Sequence, residues 1–534
     1  RSMSRSLLTV NEDFSIRSPT MKKHFLEVTS NQTDKNMENR FDMVIIGSGL
    51  GGLECGVILS KEGYKVCIVE QSAVFGGCFQ SFSRSGRSID TGIHYMGSMG
   101  EGQIMRQYLK YFGIFDSLDI VKLDDEFDVI NLGSEAVYGY HQGYDNFMGS
   151  LTALFPTQEQ GIKQYCKKIR EIGSSIATDV HQSGAFSSGG IENLGVSAVK
   201  FIDSCVCDPV LRNILAGTNV LYGGTYQSAN LYHHAMINHS NIEGSYRFVG
   251  GTQNVADMLV RQITNNGGVV LNRSKVVRIE VQAADVKCVE LENGEKIYAK
   301  QFISDIHPAS TFAMVGATPV IKKAYKSRLN LLPNTSGLFS VYLLMKPNSF
   351  PYCNKNYYYY HSGDVWDTVL DQPDLVPKLI MLSTQLANHN TKYSDVVTLM
   401  SPINNAIFDQ WQTASPGSRG RQYDDLKAQI TENIIAQATR FCPRIRSSIE
   451  SVCSASPLTY QHYTGTPQGS AYGILKDYRT TIATLLPTRT KLNNLFLTGQ
   501  NLNVHGALGV TLTAAKTCAE LLGTEYLAKK IGNV

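Results

Sequence analysis

The hydrophobic positions near the start of the chain predict a strand, a helix and a second strand. A continuous apolar run at 43–46 is typical of a strand that is buried on both faces. A glycine-rich turn and a helical stretch follow it, and a second apolar run occupies 66–69. This order predicts a strand–helix–strand unit whose two strands are parallel.

A second segment with the same periodicities follows a glycine pair at 250–251. Apolar residues recur four positions apart at Val255, Leu259 and Ile263, which predicts a helix with one buried face. Two short apolar runs come next and predict strands at 269–271 and 276–279.

Two long segments, 99–246 and 305–482, separate these pieces. The spacing of apolar residues in the first segment predicts mainly helices. In the second segment, the alternation at 338–343 predicts a strand, and apolar residues at core spacing predict a helix at 424–441. The tyrosine run at 357–360 predicts a strand with one buried face. We expect the two segments to cover the sheet that the strand–helix–strand parts of the chain form.

The turn after the first strand carries candidate chemistry in the sequence GSGLGG, 47–52. Gly47 permits the tight strand-to-helix turn, Gly49 lets backbone approach a pyrophosphate, and Gly52 lets the helix pack closely on the sheet. The pyrophosphate then lies at a helix N-terminus. Glu70, at the end of the second strand, can accept hydrogen bonds from a ribose hydroxyl and disfavours a 2′-phosphate. These features together predict a dinucleotide site.

The type of dinucleotide is indicated by a second glycine pair, Gly76 and Gly77, six residues after the acid. That spacing looks like the flavoprotein pattern of the glutathione-reductase and amine-oxidase superfamily, in which this pair passes close to FAD. FAD is therefore favoured over NAD. At the end of the chain, 494–499 predicts a strand and turn, and a helix that begins at 506–509 would stabilise reduced flavin if the partial positive charge of its N-terminus pointed at the ring.

Composition excludes several other classes of function. The 534 residues are enough for two or three domains, and the net charge of +3 comes without a basic stripe, so nucleic-acid binding is not expected. The eleven cysteines lack metal-site spacing, so free thiols and no metal site are expected. No run reaches the roughly 18 apolar residues that span a bilayer. The polar segment 1–40 has no signal-peptide core and is expected to be a disordered leader.

Several stretches resemble the retinol saturase branch of the phytoene desaturase and carotenoid isomerase family. The sequence GGCFQSF at 76–82, followed by DTGIHYMG at 90–97, carries the resemblance most sharply. Three later stretches are similar and occur in family order: 234–251, 456–473 and 495–500. Val249 departs from the family, which usually has proline there, and the loop 501–505 has a character of its own.

The resemblance implies an α/β fold with a Rossmann-type FAD-binding domain, similar to glutathione reductase and amine oxidases, assembled from discontinuous segments. A mixed α+β substrate domain and a helical cap complete the expected fold. The implied divisions, in chain order, are a leader 1–40, FAD segment 41–98, cap 99–246, FAD segment 247–304, substrate domain 305–482 and FAD segment 483–534. The resemblance also implies noncovalent FAD, a hydrophobic tunnel for a polyene or isoprenoid, and peripheral contact with the cytoplasmic side of a membrane.

The expected site residues fall into two groups. The proposed FAD contacts belong to the glycine motifs, the second strand, a strand near the adenine and the C-terminal turn and helix: Gly47, Gly49, Gly51, Gly52, Glu70, Gln71, Gly76, Gly77, Cys78, Val277, Gly499, Gln500, Gly509 and Val510. By their positions in the motifs, His94, Tyr95 and His505 are candidates for proton transfer beside the flavin. A purely structural hydrogen bond is the alternative for each.

The expected reaction is hydride transfer between flavin and a carbon–carbon double bond of a hydrophobic polyene. Saturation is preferred because the His94 segment most resembles the saturase branch, with electrons from NADPH, NADH or a redox partner. One alternative is a redox-neutral carotenoid isomerase or a polyene desaturase. Another is a non-enzymatic prenyl-lipid-binding protein of the same fold, against which the complete set of glycines argues.

Overall fold

A computed structural model describes residues 41–182 and 192–534, without the side chains of 177–182. The predicted leader, 1–40, lies outside the described residues. The described part contains two seven-stranded sheets, one three-stranded sheet and one two-stranded hairpin. Within it, no helix combines the length and the apolar content that a membrane crossing requires.

The first large sheet is built around the strand Phe41–Ile46. Its parallel strands lie in the order Val269–Leu271, Val66–Val69, Phe41–Ile46, Lys296–Ser304, Leu495–Leu497. Two antiparallel strands, Val276–Gln282 and Asp285–Leu291, extend it from the beginning of Lys296–Ser304. The carboxyl ends of the parallel strands meet at one edge, which is where open α/β sheets bind their ligands.

Both faces of this sheet are covered, which explains the continuous apolar runs in its strands. Met43 and Ile45 join one core, and Val44 and Ile46 join another on the opposite face. The first core includes residues of the helices Leu50–Lys61, Gln253–Asn265 and Gly506–Leu522. The strands predicted at 43–46, 66–69 and 269–271 are all present.

The second large sheet lies in the order Ile449–Ala455, Gly337–Met345, Val396–Ile403, Leu379–Thr384, Asn356–Tyr360, Glu126–Asn131, Val137–His141. Its neighbours are antiparallel except Asn356–Tyr360 and Glu126–Asn131, which are parallel. The last two strands come from the segment that was predicted to be a helical cap. Periodicity does not predict them because Asp128 and Asn131 are buried polar residues that interrupt the apolar pattern.

The strand Gly337–Met345 shows the predicted alternation but is buried on both faces. One face, including Val341 and Leu343, packs in a core with the helix Arg421–Phe441. Tyr342 and Leu344 on the other face pack against the hairpin formed by Ser81–Arg84 and Arg87–Asp90. The polar residues of the alternation are therefore enclosed instead of facing water.

The remaining elements surround the two sheets. A small sheet has the order Met96–Gly97, Ser245–Phe248, Ile120–Lys122. Further α-helices in the described part are Ile104–Phe112, Tyr144–Leu154, Glu159–Gln182, Ala198–Cys205, Pro209–Ala216, Leu231–Glu243, Pro308–Met314, Lys323–Asn330, Arg444–Ser448, Pro457–Thr464, Thr481–Thr484 and Thr524–Gly532. Several of those between 104 and 243 pack on the same core as the first face of the parallel sheet.

Candidate functional site

The glycine turn after the first strand is a close-packed cradle. Gly47 has φ of +95°, a backbone conformation that glycine adopts without strain. A Cβ atom at Gly52 would lie 2.3 Å from the carbonyl oxygen of Gly47. A Cβ atom at Gly77 would lie 3.1 Å from the Cα of Gly49. The glycine motifs at 47–52 and 76–77 therefore pack so closely that a side chain at either of these contacts would crowd backbone atoms.

Glu70 lies at the end of its strand, as predicted, and its carboxylate is held by the glycine turn. Its Oε2 accepts hydrogen bonds from the backbone N–H of Ser48 at 2.9 Å and from the Ser48 hydroxyl at 2.7 Å. Its Oε1 accepts a hydrogen bond from the N–H of Ser72 at 2.7 Å. The carboxylate is thus fixed beside the turn where a ribose would lie.

Asp305 is a residue of this site that sequence reasoning missed. It follows the strand Lys296–Ser304, next to the first strand in the sheet, and its carboxylate accepts backbone hydrogen bonds from Gly52 and Gly49. Burial raises its pKa to about 7, and the two hydrogen bonds oppose that shift. The signal that was available is its position, the first polar residue beyond a parallel strand at the ligand-binding edge.

A cavity of about 520 Å³ runs past these groups. It is lined by most of the predicted cofactor residues: Gly47, Gly49, Gly51, Glu70, Gln71, Gly76, Gly77, Cys78, Gly499, Gln500 and Val510. Burial, with Asp305 nearby, raises the pKa of the Cys78 thiol to about 11, so the thiol is protonated at neutral pH.

Three predicted cofactor residues do not line this cavity. Gly52 and Gly509 act through packing instead, since a Cβ atom at Gly509 would lie 2.8 Å from the carbonyl carbon of Val504. Val277 is 42% exposed, and its neighbour Val276 lines the cavity in its place. Successive side chains of a strand point to opposite faces, so a shift of one residue exchanges the inner face for the outer one.

A second cavity of about 140 Å³ adjoins the first. The two share the lining residues Gly92, Ile93, Leu338, Tyr472, Gly506 and Ala507. The rest of the second cavity is largely apolar, with the side chains of Met96, Val220, Leu221, Met236, Ile237, Met381, Met400 and Leu508. The shared wall includes the beginning of the helix Gly506–Leu522, whose N-terminus carries partial positive charge.

The structure places His94 and Tyr95 together in the wall of this second cavity. The Nε2 of His94 lies 3.3 Å from the sulfur of Met400, and burial, with Arg247 nearby, lowers its pKa to about 4. The imidazole is therefore neutral at physiological pH. The hydroxyl of Tyr95 donates a hydrogen bond to Asp128 at 2.7 Å.

His505 lies behind this wall and lines neither cavity. Its ring stacks on His233 and faces Tyr472, with both pairs of ring centroids 4.7 Å apart. Its Nδ1 is buried without a hydrogen-bond partner among the described residues, and burial lowers its pKa to about 3. His505 therefore supports Tyr472, which lines both cavities.

The loop 501–505, which departs from the family pattern, is buried and held by Lys476. The Lys476 Nζ donates hydrogen bonds to the carbonyl oxygens of Thr484, Asn501 and Leu502 at 2.7, 2.8 and 3.0 Å. Sequence reasoning missed this residue, because a lysine that lies far from the loop in sequence gives no signal of such contacts.

Comparisons with known proteins agree with this geometry. Residues 45–112 match a family model described as an NAD(P)-binding Rossmann-like domain. The chain is 25% identical to all-trans-retinol 13,14-reductase of Homo sapiens over 93% of this chain and 87% of that protein. It is 26% identical to the Danio rerio all-trans-retinol 13,14-reductase over 90% of this chain and 86% of that protein. The predicted resemblance to the retinol saturase branch is confirmed.

Other relatives extend the comparison. The chain is 23% identical to prolycopene isomerase of Daucus carota over 82% of this chain and 73% of that protein. An oxidoreductase from Methanosarcina mazei is 15% identical and superimposes with a TM-score of 0.60, covering 89% of this chain and 99% of its own. Cyclohexylamine oxidase from Brevibacterium oxydans is 15% identical in sequence and superimposes with a TM-score of 0.54. The superposition covers 92% of this chain and 99% of that protein. The predicted fold class and the class of FAD-dependent oxidoreductase are confirmed.

Proposed function

We propose that this chain reduces a carbon–carbon double bond of a hydrophobic polyene similar to all-trans-retinol. One observation carries the proposal: the glycine-lined cavity adjoins a second, mostly apolar cavity at Tyr472 and Gly506. A cofactor in the first cavity then lies next to a space that favours hydrocarbon. The similarity to all-trans-retinol 13,14-reductases over about 90% of the chain supports this choice of substrate class.

The residues of the first cavity fit FAD. We propose that Glu70 holds a ribose, that the turns at Gly49 and Gly77 receive the pyrophosphate, and that Val276 contacts the adenine. The glycine cradle has space only for backbone at its closest points, as a pyrophosphate site requires. When bound, FAD would supply the hydride chemistry of the reaction.

The residues of the second cavity bind and orient the polyene. Its apolar side chains exclude water from the double bond, so a hydride is not lost to solvent. His94 is neutral and presents no charge to the hydrocarbon. Tyr95 lines the same wall, and we propose its hydroxyl as the proton donor.

Three further parts of the proposal start from the resemblance. We propose that NADPH, NADH or a redox partner supplies the electrons, and that the chain meets the cytoplasmic side of a membrane peripherally to receive its substrate. We also propose the division into FAD segments 41–98, 247–304 and 483–534, with the cap and substrate segments between them. The parallel sheet takes strands from each of the three FAD segments, which supports that division.

An anaerobic half-reaction tests the function. The FAD-loaded protein is reduced with dithionite, freed of excess reductant and mixed with all-trans-retinol, and flavin absorbance and product mass are followed. We expect flavin reoxidation and a product two hydrogens heavier. An isomer of unchanged mass with flavin still reduced would favour the isomerase, the function of the Daucus carota relative. A protein that takes up no FAD would support the lipid-binding alternative.

Replacement of Leu221 with Trp is expected to block the second cavity without affecting FAD. Leu221 lines that cavity and is absent from the wall of the first. The larger ring would occupy space that the polyene needs, so we expect reoxidation by retinol to slow by at least about tenfold, the effect of about 1.4 kcal/mol. The flavin content per chain is measured in parallel and is expected to be unchanged.

Val137→Trp is the matched control, because Val137 is 58% exposed and lies in neither cavity. It is expected to leave both reoxidation and flavin content as in the unchanged protein. Equal rates for Leu221→Trp and Val137→Trp would show that the polyene does not use the second cavity.

A further inference from the structure

A chain of buried polar side chains leads from Arg247 to the wall of the second cavity. The Nη2 of Arg247 donates to Oδ1 of Asn356 at 2.9 Å, and the Nδ2 of Asn356 donates to Oδ1 of Asp128 at 2.9 Å. The Oδ2 of Asp128 lies 2.7 Å from the hydroxyl of Tyr95, which is 2.8 Å from the hydroxyl of Tyr358. Of these five residues, only Tyr95 lines the cavity.

The donor and the acceptor in the bonds from Arg247 to Asn356 and from Asn356 to Asp128 can be assigned by starting from the arginine. A guanidinium only donates, so Asn356 must present its oxygen to Arg247 and its NH₂ group to Asp128. Ser383 donates to the same oxygen of Asn356 at 3.0 Å, which favours the same orientation. The Oδ1 of Asp128 is therefore an acceptor, and a proton on this carboxyl group must reside on Oδ2, facing Tyr95.

Asp128 lies in surroundings that favour its protonated form. It is fully buried, and burial raises its pKa to about 7, against the opposing effects of its hydrogen bonds from Asn356 and Tyr95 and the charge of Arg247. The other titratable groups that face it are the phenols of Tyr95, Tyr358 and Tyr140. Arg247 acts on it at a distance, through Asn356, instead of forming a direct ion pair.

Protonation of Asp128 changes what Tyr95 can do. When Asp128 is ionised, the Tyr95 hydroxyl donates its hydrogen to Oδ2. When Asp128 is protonated, its own O–H donates to the Tyr95 oxygen, and the Tyr95 hydrogen is released from that bond. Tyr95 can then donate toward Tyr358 or toward a ligand in the cavity.

We propose that Asp128 is the proton reservoir that acts through Tyr95 when the polyene is reduced, an inference that rests on the proposed function. One carbon of the double bond gains a hydride from reduced FAD, which becomes oxidised. The neighbouring carbon gains the proton of the Tyr95 hydroxyl, whose O–H bond breaks. The Tyr95 oxygen regains a proton from Oδ2 of Asp128, and Asp128 is reprotonated from water. Asp128 is thus a positioning residue, since it acts through Tyr95.

The first test reads the carboxyl group directly, without turnover. Infrared spectra of the oxidised, FAD-loaded protein are recorded against pH and compared with Asp128→Asn. We expect a carbonyl band of a protonated carboxyl group that the substitution removes and that disappears as the pH rises through about 7. The comparison isolates Asp128 from Glu54 and Asp305, whose carboxyl pKa values are also raised. Identical spectra of the two proteins at pH 6 would overturn the proposal.

The second test follows flavin reoxidation by all-trans-retinol in the FAD-loaded protein. The protonated form is the active one, so the rate is expected to be full below pH 7 and to fall as the pH rises through about 7. At pH 6 we expect Asp128→Asn and Tyr95→Phe each to slow reoxidation about 100-fold, the typical scale of general acid catalysis. Because the two residues act as one unit, the double variant should be no slower than Tyr95→Phe.

Asp128→Asn also separates the proton role from a structural one. An asparagine can accept from Asn356 and donate to Tyr95, so it keeps both hydrogen bonds but has no proton to give. An unchanged rate and pH profile in Asp128→Asn would therefore overturn the proposal. Tyr95→Phe provides an independent test if Asp128→Asn fails to fold, which flavin content reveals, and a normal rate in Tyr95→Phe would overturn it as well.

Tyr360→Phe is the matched control for the tyrosine substitution. Tyr360 lies on the same strand as Tyr358, lines neither cavity and donates to the carbonyl oxygen of Gly217 instead of contacting Tyr95, so reoxidation should change little. If the unchanged protein does not reduce retinol, the proposed function fails, whereas the infrared band still decides whether Asp128 holds its proton. The failures of the two proposals are thus distinguishable.

Discussion

Replacement of Gly52 with Ala is expected to give a folded protein that binds FAD more weakly. A Cβ atom at this position would lie 2.3 Å from the carbonyl oxygen of Gly47 and 3.1 Å from Oδ2 of Asp305. Neither neighbour can yield easily, since one is backbone and the other accepts hydrogen bonds from the turn. The helix Leu50–Lys61 must therefore move away from the strand and carry the glycine turn with it.

The size of the effect follows from the cost of overpacking. An added methyl group in a close-packed site costs about 1–3 kcal/mol, which corresponds to roughly 5–150-fold in affinity. Flavin absorbance per chain measures occupancy, and titration of FAD into the flavin-free protein measures the dissociation constant. We expect the dissociation constant of Gly52→Ala to rise by that factor while circular dichroism shows an unchanged secondary structure.

Gly149→Ala is the control for Gly52→Ala. Gly149 lies in the exposed part of the helix Tyr144–Leu154, and a Cβ atom there would meet nothing within 4 Å. It should keep its FAD and unfold at the same or a higher temperature, because alanine favours a helix more than glycine does. If Gly52→Ala binds FAD as tightly as Gly149→Ala, the helix does not need glycine at this contact.

The parallel sheet could be predicted because its strands carry their own signal. Residues 43–46 and 66–69 are apolar without interruption, since helices or other elements cover both faces of the sheet. The edge of the sheet where a ligand binds could be predicted from the turn residues. Gly47 has positive φ in the turn after the first strand, and Glu70 directly follows the second strand. The C-terminal helix was also predictable, from Gly506 at its beginning to Gly523 beyond its end.

The polar groups behind the second cavity could not be predicted, because their partners are distant in sequence. Asp128 is bound by Asn356, 228 residues later, and only the pairing of their strands brings them together. A single aspartate in an apolar strand looks like an interruption until its hydrogen-bond partners are known. Asp305 was missed for a related reason, since it contacts Gly49 and Gly52 only after the sheet has formed.

Lys476→Met is expected to destabilise the protein, with an effect that grows with pH. The Lys476 Nζ is buried and donates to three carbonyl oxygens, two of them in the loop 501–505. A buried carbonyl left without a donor costs about 1–3 kcal/mol, and the neutral amine expected at pH 9 has two N–H donors, so methionine should lower the free energy of unfolding there by roughly 3 kcal/mol. The loss of this anchor should also loosen the loop beside Tyr472.

The pH dependence follows from proton binding in the two states. Burial lowers the pKa of Lys476 to about 7, whereas the unfolded chain has a lysine pKa of about 10.4. Between these values the unfolded state binds the extra proton, so the contribution of Lys476 to stability rises by about 1.4 kcal/mol for each pH unit. Below pH 7 both states are protonated, and the difference between Lys476→Met and the unchanged protein should be smallest there.

Denaturant unfolding at pH 6 and pH 9 measures the loss of stability in Lys476→Met and its dependence on pH, with Lys287→Met as the control. Lys287 is exposed on the strand Asp285–Leu291, so its loss should change stability little at either pH. If Lys476→Met has the same stability difference at both pH values, Lys476 titrates in the folded protein as it does in the unfolded chain. Its ammonium group would then remain charged while it holds the loop, and the carbonyl oxygens alone would compensate for its burial.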